Sequence, residues 1–119
     1  MKYNLSIIIS HYANDIQSNP LFKTINSINH QVKNQNVEII IADDGSKYSE
    51  KILKKYSQKK IIPNDDRCFY ILEKDNLNSF LNEQNIENKL ITKWVYMPKL
   101  IKCMSKARIA NQAVKLAES

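Results

Sequence analysis

Two short, almost unbroken apolar runs constrain the fold of this 119-residue chain more than any other feature: Leu5-Ser6-Ile7-Ile8-Ile9 and Val37-Glu38-Ile39-Ile40-Ile41-Ala42. Each is rich in β-branched residues and short, which suits a strand buried on both faces as in a parallel sheet. Parallel strands need a long crossover, and the intervening segment supplies one. Pro20 suits a first helical position, and Leu21, Phe22, Ile25, Ile28 and Val32 fall at helical spacing on one face. Asp43-Asp44-Gly45-Ser46 then breaks the second run at the only glycine in the chain.

The same logic extends along the sequence. From Ser49 to Ser57, Ile52, Leu53 and Tyr56 alternate with Lys51, Lys54 and Lys55, which predicts an amphipathic helix capped by Ser46 or Ser49 and excludes a hairpin at Asp44-Gly45. Pro63-Asn64-Asp65-Asp66 reads as a turn and Cys68-Phe69-Tyr70-Ile71-Leu72 as a third buried strand. The predicted order is β-α-β-α-β with all three strands parallel, an α/β fold in one domain over residues 1–119. Ser105 to Glu118 reads as a further helix. Between them, Leu77, Phe80, Leu81, Ile86, Leu90 and Ile91 suggest helical pieces ahead of Trp94-Val95-Tyr96-Met97-Pro98, with Trp94 and Tyr96 as core packing or a ligand-facing wall. In such a sheet ligands bind at the carboxyl ends of the strands: Ser10 to Asn14, Asp43 to Ser46, and Glu73 to Asp75.

Composition removes several alternatives. One glycine cannot build a Gly-x-Gly-x-x-Gly dinucleotide fingerprint or a Walker phosphate loop. The net charge of +6 comes from 16 Lys and only 2 Arg against 12 acidic residues, with no basic run, so nucleic acid is not an expected partner. Cys68 and Cys103 stand far apart without His at zinc-ligand spacing, and no signal peptide precedes the first apolar run; a reduced, cytoplasmic chain is expected. His11 and His30 lack metal-spaced partners and read as surface or capping residues.

Ser6 through Asn14, then Leu21 through Thr24-Ile25-Asn26-Ser27-Ile28 to Gln31, then Val37 through Asp43-Asp44-Gly45-Ser46, resemble the start of a family 2 glycosyltransferase. Asp66-Arg67 and Lys106-Ala107 with Asn111 are similar to that family's next landmarks. The resemblance implies a GT-A fold, a Rossmann-like sheet with helices on both faces, and a sugar donor whose nucleotide, usually UDP, sits at the strand ends. It implies nucleotide contacts from Ser10, Tyr12, Asp44 and Lys106, with Asp43, Gly45 and Ser46 supporting the loop. Each also has a plain structural reading: the loop as turn and cap, Tyr12 as a ring at the sheet edge, Lys106 as a first-turn surface residue.

The chain departs from the family where the chemistry lies. Pro is usual where Ser10 or His11 stands, and the stretch before Lys106 is long. The Asp-x-Asp that holds a divalent cation and the later acidic base do not occur in the sequence. Glycosyl transfer needs charge stabilisation of the departing diphosphate and a proton acceptor. The expectation is therefore a truncated N-terminal half of an inverting enzyme, inactive by itself and holding no metal, with Mn or Mg belonging to the full-length enzyme. Its acceptor would be a sugar or a lipid-linked group, in cell-envelope polysaccharide synthesis, and the unpaired sheet edge would favour self-association. The alternative is a non-catalytic nucleotide-sugar-binding or interaction module.

Overall fold

The two apolar runs are β1 (Leu5–His11) and β2 (Val37–Asp43), parallel neighbours joined through α1 (Leu21–Gln31). They belong to a computed structural model that describes residues 3–13, 21–32, 36–47, 50–61, 68–83, 90–97 and 105–118. After β2 come α2 (Glu50–Tyr56), β3 (Gln58–Ile61), β4 (Cys68–Glu73), α3 (Lys74–Glu83), β5 (Ile91–Tyr96) and α4 (Ser105–Leu116). The sheet order is β1-β2-β5-β4-β3. Asn14, Pro20, the predicted turn at Pro63–Asp66, Arg67 and the stretch from Pro98 to Met104 lie outside the described residues.

All seven residues of β2 are buried, because this strand has neighbours on both sides and helices on both faces. Its alternating side chains enter two cores. Ile39 and Ile41 pack with Leu21 and Ile25 of α1, Leu53 of α2, and Leu77, Phe80 and Leu81 of α3. Ile40 and Ala42 pack on the opposite face with Val95, Met97 and Ala113 of α4. Each fully buried isoleucine contributes about 1.5–3 kcal/mol of transfer free energy, so β2 is the keel of the domain. β1 departs from the expectation of full burial: it is an edge strand, partly exposed along Ile7 to Ile9, with Leu5 49% exposed.

The second half of the sheet differs from the expected one in three ways. The predicted third parallel strand is β4, and it runs antiparallel to both of its neighbours, β5 and β3. Its antiparallel partner β3 went unread because Gln58-Lys59-Lys60 carries no apolar alternation; lysines are a common feature of an edge strand, where they discourage further pairing. The segment read as helical pieces is a helix, α3, followed by a central strand, β5, parallel to β2. The aromatic and β-branched residues of Trp94-Val95-Tyr96 have strand propensity. Among the described residues no helix is long and apolar enough to cross a membrane.

Glu38 places a carboxylate inside the buried keel, well before the strand end at Asp43. Glu38 is fully buried, and its carboxylate accepts hydrogen bonds from Ser6 Oγ (2.7 Å), Thr92 Oγ1 (2.9 Å) and the Glu118 backbone N–H (2.8 Å). Lys93 Nζ stands 3.7 Å away and is also 3.0 Å from the Glu118 carboxylate. A bulge makes this possible: Ile39 pairs with Ile91 but Ile40 with Lys93, so Thr92 is an extra residue and both it and Lys93 reach the same carboxylate. Burial alone would raise the Glu38 carboxyl; the three hydrogen bonds and the Lys93 charge outweigh it and hold the group below its usual range.

Candidate functional site

β1 and β2 end side by side, with His11 opposite Asp43 in register. Beyond these ends five hydrogen bonds tie three segments together. The Asp44 N–H donates to the His11 carbonyl (2.9 Å), and the Met97 N–H donates to the Asp43 carbonyl (3.0 Å). The Ser46 N–H donates to Asp43 Oδ1 (2.9 Å), and the Trp94 indole N–H donates to Asp43 Oδ2 (3.0 Å). Ser46 Oγ in turn accepts from the Ala13 N–H (3.0 Å). Gly45 makes the turn with φ of 81°, a left-handed conformation in which a Cβ would cost about 1–2 kcal/mol.

Ser10, His11, Tyr12 and Asp44 line a cavity of about 270 Å³ at this end of the sheet. The structure thus brings together three of the four residues assigned to the nucleotide. Ser10 and Tyr12 are exposed, and Asp44 is half-buried. Lys106 stands in the first turn of α4; its side chain, like Asp65, Asp66 and Asn111, lies outside what the structure describes. Asp43, Gly45 and Ser46 are all buried and do not line the cavity.

Electrostatics separates the two adjacent aspartates. Burial raises the Asp43 carboxyl to about 6, with the Asp44 charge adding to the rise and the hydrogen bonds from Ser46 and Trp94 opposing it. Asp43 is therefore a structural group committed to the Ser46 hydroxyl and to the Ser46 and Trp94 N–H donors, while Asp44 faces the cavity. His11 corrects the expectation of a surface or capping residue: it is 7% exposed and burial pushes its imidazole down to about 4, so the ring is neutral at physiological pH. His30 is exposed on α1. Trp94 and Tyr96 are core residues, not a ligand-facing wall.

Sequence reasoning missed the indole bond to Asp43 and the Ser46 hydroxyl bond to Ala13, both of which span strands distant in sequence. Parallel pairing of the two runs would have placed Ala13 near Ser46, since their ends align; nothing local announced Trp94. A second cavity of about 430 Å³, lined in part by Tyr3, Glu73, Lys74, Thr92 and Lys93, opens at the other end of the parallel strands; because β4 runs antiparallel, its carboxyl end at Glu73 lies here and not beside the ends of β1 and β2 as expected, and none of the residues assigned to the nucleotide lines this cavity. Among the described residues no three His, Cys, Asp or Glu side chains gather as a metal site. Hard divalent cations need several oxygen ligands at fixed geometry, and the described residues do not gather such a set.

The arrangement offers one acceptor carboxylate, two hydroxyls and a neutral imidazole where two parallel strands end, as in nucleotide-binding α/β sheets. No curated protein and no solved structure matches the chain. A family model does, over residues 6–82, the segment that runs from β1 into α3 and contains the whole strand-end loop. With that match, and an α/β sheet with helices on both faces in keeping with part of a GT-A fold, the chain belongs to glycosyl transferase family 2.

Proposed function

We propose that the chain binds the nucleotide of a UDP-sugar donor in the cavity at the ends of β1 and β2. The observation that carries this reading is the convergence of Ser10, Tyr12 and Asp44 on one cavity, from two elements more than thirty positions apart in a family 2 sequence. Uracil presents an imide N–H that the Asp44 carboxylate can accept, and ribose presents hydroxyls that Ser10 and Tyr12 can both donate to and accept from. Lys106, at the start of α4, would bring positive charge toward the diphosphate. Sugar transfer to an acceptor is the family's chemistry; for these 119 residues the reading is donor binding without turnover, because the sequence contains no Asp-x-Asp and Asp44 is assigned to the base.

Calorimetric titration tests the assignment. UDP or UDP-glucose is expected to bind more tightly than ADP, whose adenine has no ring N–H to offer Asp44. Losing a charge-assisted hydrogen bond makes Asp44→Ala about tenfold weaker or more for UDP, with little effect on folding. Equal affinity for UDP and ADP, or unchanged UDP affinity in Asp44→Ala, would remove Asp44 from the site. Sugar transfer by the purified chain would overturn the reading of binding without turnover.

A further inference from the structure

We infer that Trp94 is a positioning residue for the nucleotide: through Asp43 it fixes the loop that carries Asp44 and Ser46 against the end of β1. The inference rests on the nucleotide reading above and extends it to a strand that lies beyond the matched residues 6–82. Trp94 is the chain's only tryptophan and is fully buried. Its ring meets Phe80 edge-on at 5.1 Å and His11 edge-on at 5.6 Å, the latter a residue that lines the cavity.

A core position needs only an apolar ring, and phenylalanine would supply one. What tryptophan adds is the indole N–H, and here that N–H is spent on Asp43 Oδ2. The other oxygen of the same carboxylate holds the Ser46 N–H, and the Ser46 hydroxyl holds the Ala13 N–H. A continuous path of three hydrogen bonds thus runs from β5 through the β2 loop to the end of β1, through residues adjoining those that line the cavity. A buried carboxylate that loses its indole donor, keeping only the Ser46 N–H and hydroxyl, would turn toward another partner or take up a proton, and either event releases the Ser46 N–H or weakens its acceptor.

The test compares Trp94→Phe with wild type by calorimetry using UDP-glucose, whose diphosphate does not titrate between pH 5 and pH 8. Trp94→Phe is expected to bind about tenfold more weakly. Ile25→Val, a core substitution in α1 away from the cavity, lowers the melting temperature and leaves affinity within about twofold. A pH series gives a readout that loss of packing alone would not move. Affinity falls as Asp43 takes up a proton, and because the indole bond favours the ionised carboxyl, its removal shifts the midpoint of that fall to higher pH. The charged and titratable groups near Asp43, namely Asp44 on its own loop, His11 on β1 and Tyr96 on β5, are the same in both proteins. Asp43→Asn keeps the indole and its packing but sets an amide N–H2 against one of the two N–H donors; it is expected to show the same weakening and carries the test if Trp94→Phe does not fold. Wild-type affinity in the folded variant with an unmoved midpoint, or an equal loss in Ile25→Val, overturns the role of Trp94. Absence of binding by the wild-type protein overturns the nucleotide reading itself and this inference with it.

Discussion

Glu38→Ala is expected to lower the free energy of unfolding by about 3–5 kcal/mol, the cost of breaking a buried ionic network from one side. Glu38 is the one acceptor shared by Ser6, Thr92 and the Glu118 N–H, with Lys93 alongside. Lys93 is only 6% exposed, so removing the carboxylate leaves a largely desolvated ammonium that keeps the half-exposed Glu118 at 3.0 Å, with Glu73 opposite it on β4. Domains of this size are stable by about 5–15 kcal/mol, so the loss is a large fraction of the whole and chemical denaturation would read it directly. Replacing Glu38 and Lys93 together with apolar residues should recover much of the loss, because the uncompensated charge goes with its partner. The Glu38 carboxyl is held below its unfolded value, so the stability it confers is present above about pH 4.5 and lost as the pH falls further.

A second large effect lies in the pair formed by Asp43 and His11, and it is hidden in the wild-type protein. Asp43 titrates at about 6 when folded against 3.8 unfolded, so its contribution is present below pH 3.8 and lost as the pH rises to about 6. His11 titrates at about 4 when folded against 6.5 unfolded, so folding is penalised as the pH falls from 6.5 to about 4. Each shift corresponds to about 3 kcal/mol, and the two have opposite sign over nearly the same window. Wild-type stability is therefore expected to be nearly flat in this pair between pH 4 and pH 6.5: the native state holds the proton on Asp43 that the unfolded chain holds on His11. Asp43→Asn removes one side of the exchange, and its stability should fall by about 3 kcal/mol as the pH is lowered across that window. His11→Phe should show the reverse, losing stability as the pH rises. Urea denaturation at half-unit pH steps checks both slopes; parallel profiles for the two variants and the wild type would contradict the exchange.

The keel and its loop were legible because they are local. Continuous β-branched runs declare a buried strand, helical spacing declares the crossover, and Asp43-Asp44-Gly45-Ser46 ends the strand with the one residue suited to φ of 81°. The strand ends then place Ser10, Tyr12 and Asp44 together without any knowledge of the rest of the sheet. What could not be read depends on pairing at a distance. Cys68–Leu72 has the pattern of a buried strand whichever way it points, and its antiparallel direction follows from the polar β3, whose Gln-Lys-Lys run carries no strand signal. β5 is short and follows an Asn-rich stretch, so its central place became visible only once Ile39 through Asp43 had found it as a partner. His11 looked like a surface residue because nothing in its neighbourhood of sequence contains Trp94, the ring that meets it.

Amide chemical-shift mapping tests most directly the proposed seat of a sugar nucleotide over the ends of β1 and β2. On titration with UDP-glucose, saturable shifts are expected at Ser10 through Ala13 and at Asp44 through Ser46, with Asp44→Ala weakening the response at both segments together. Saturable shifts confined to Tyr3, Thr92 and Lys93 at the other end of the sheet, or no shifts at either end, would contradict the account.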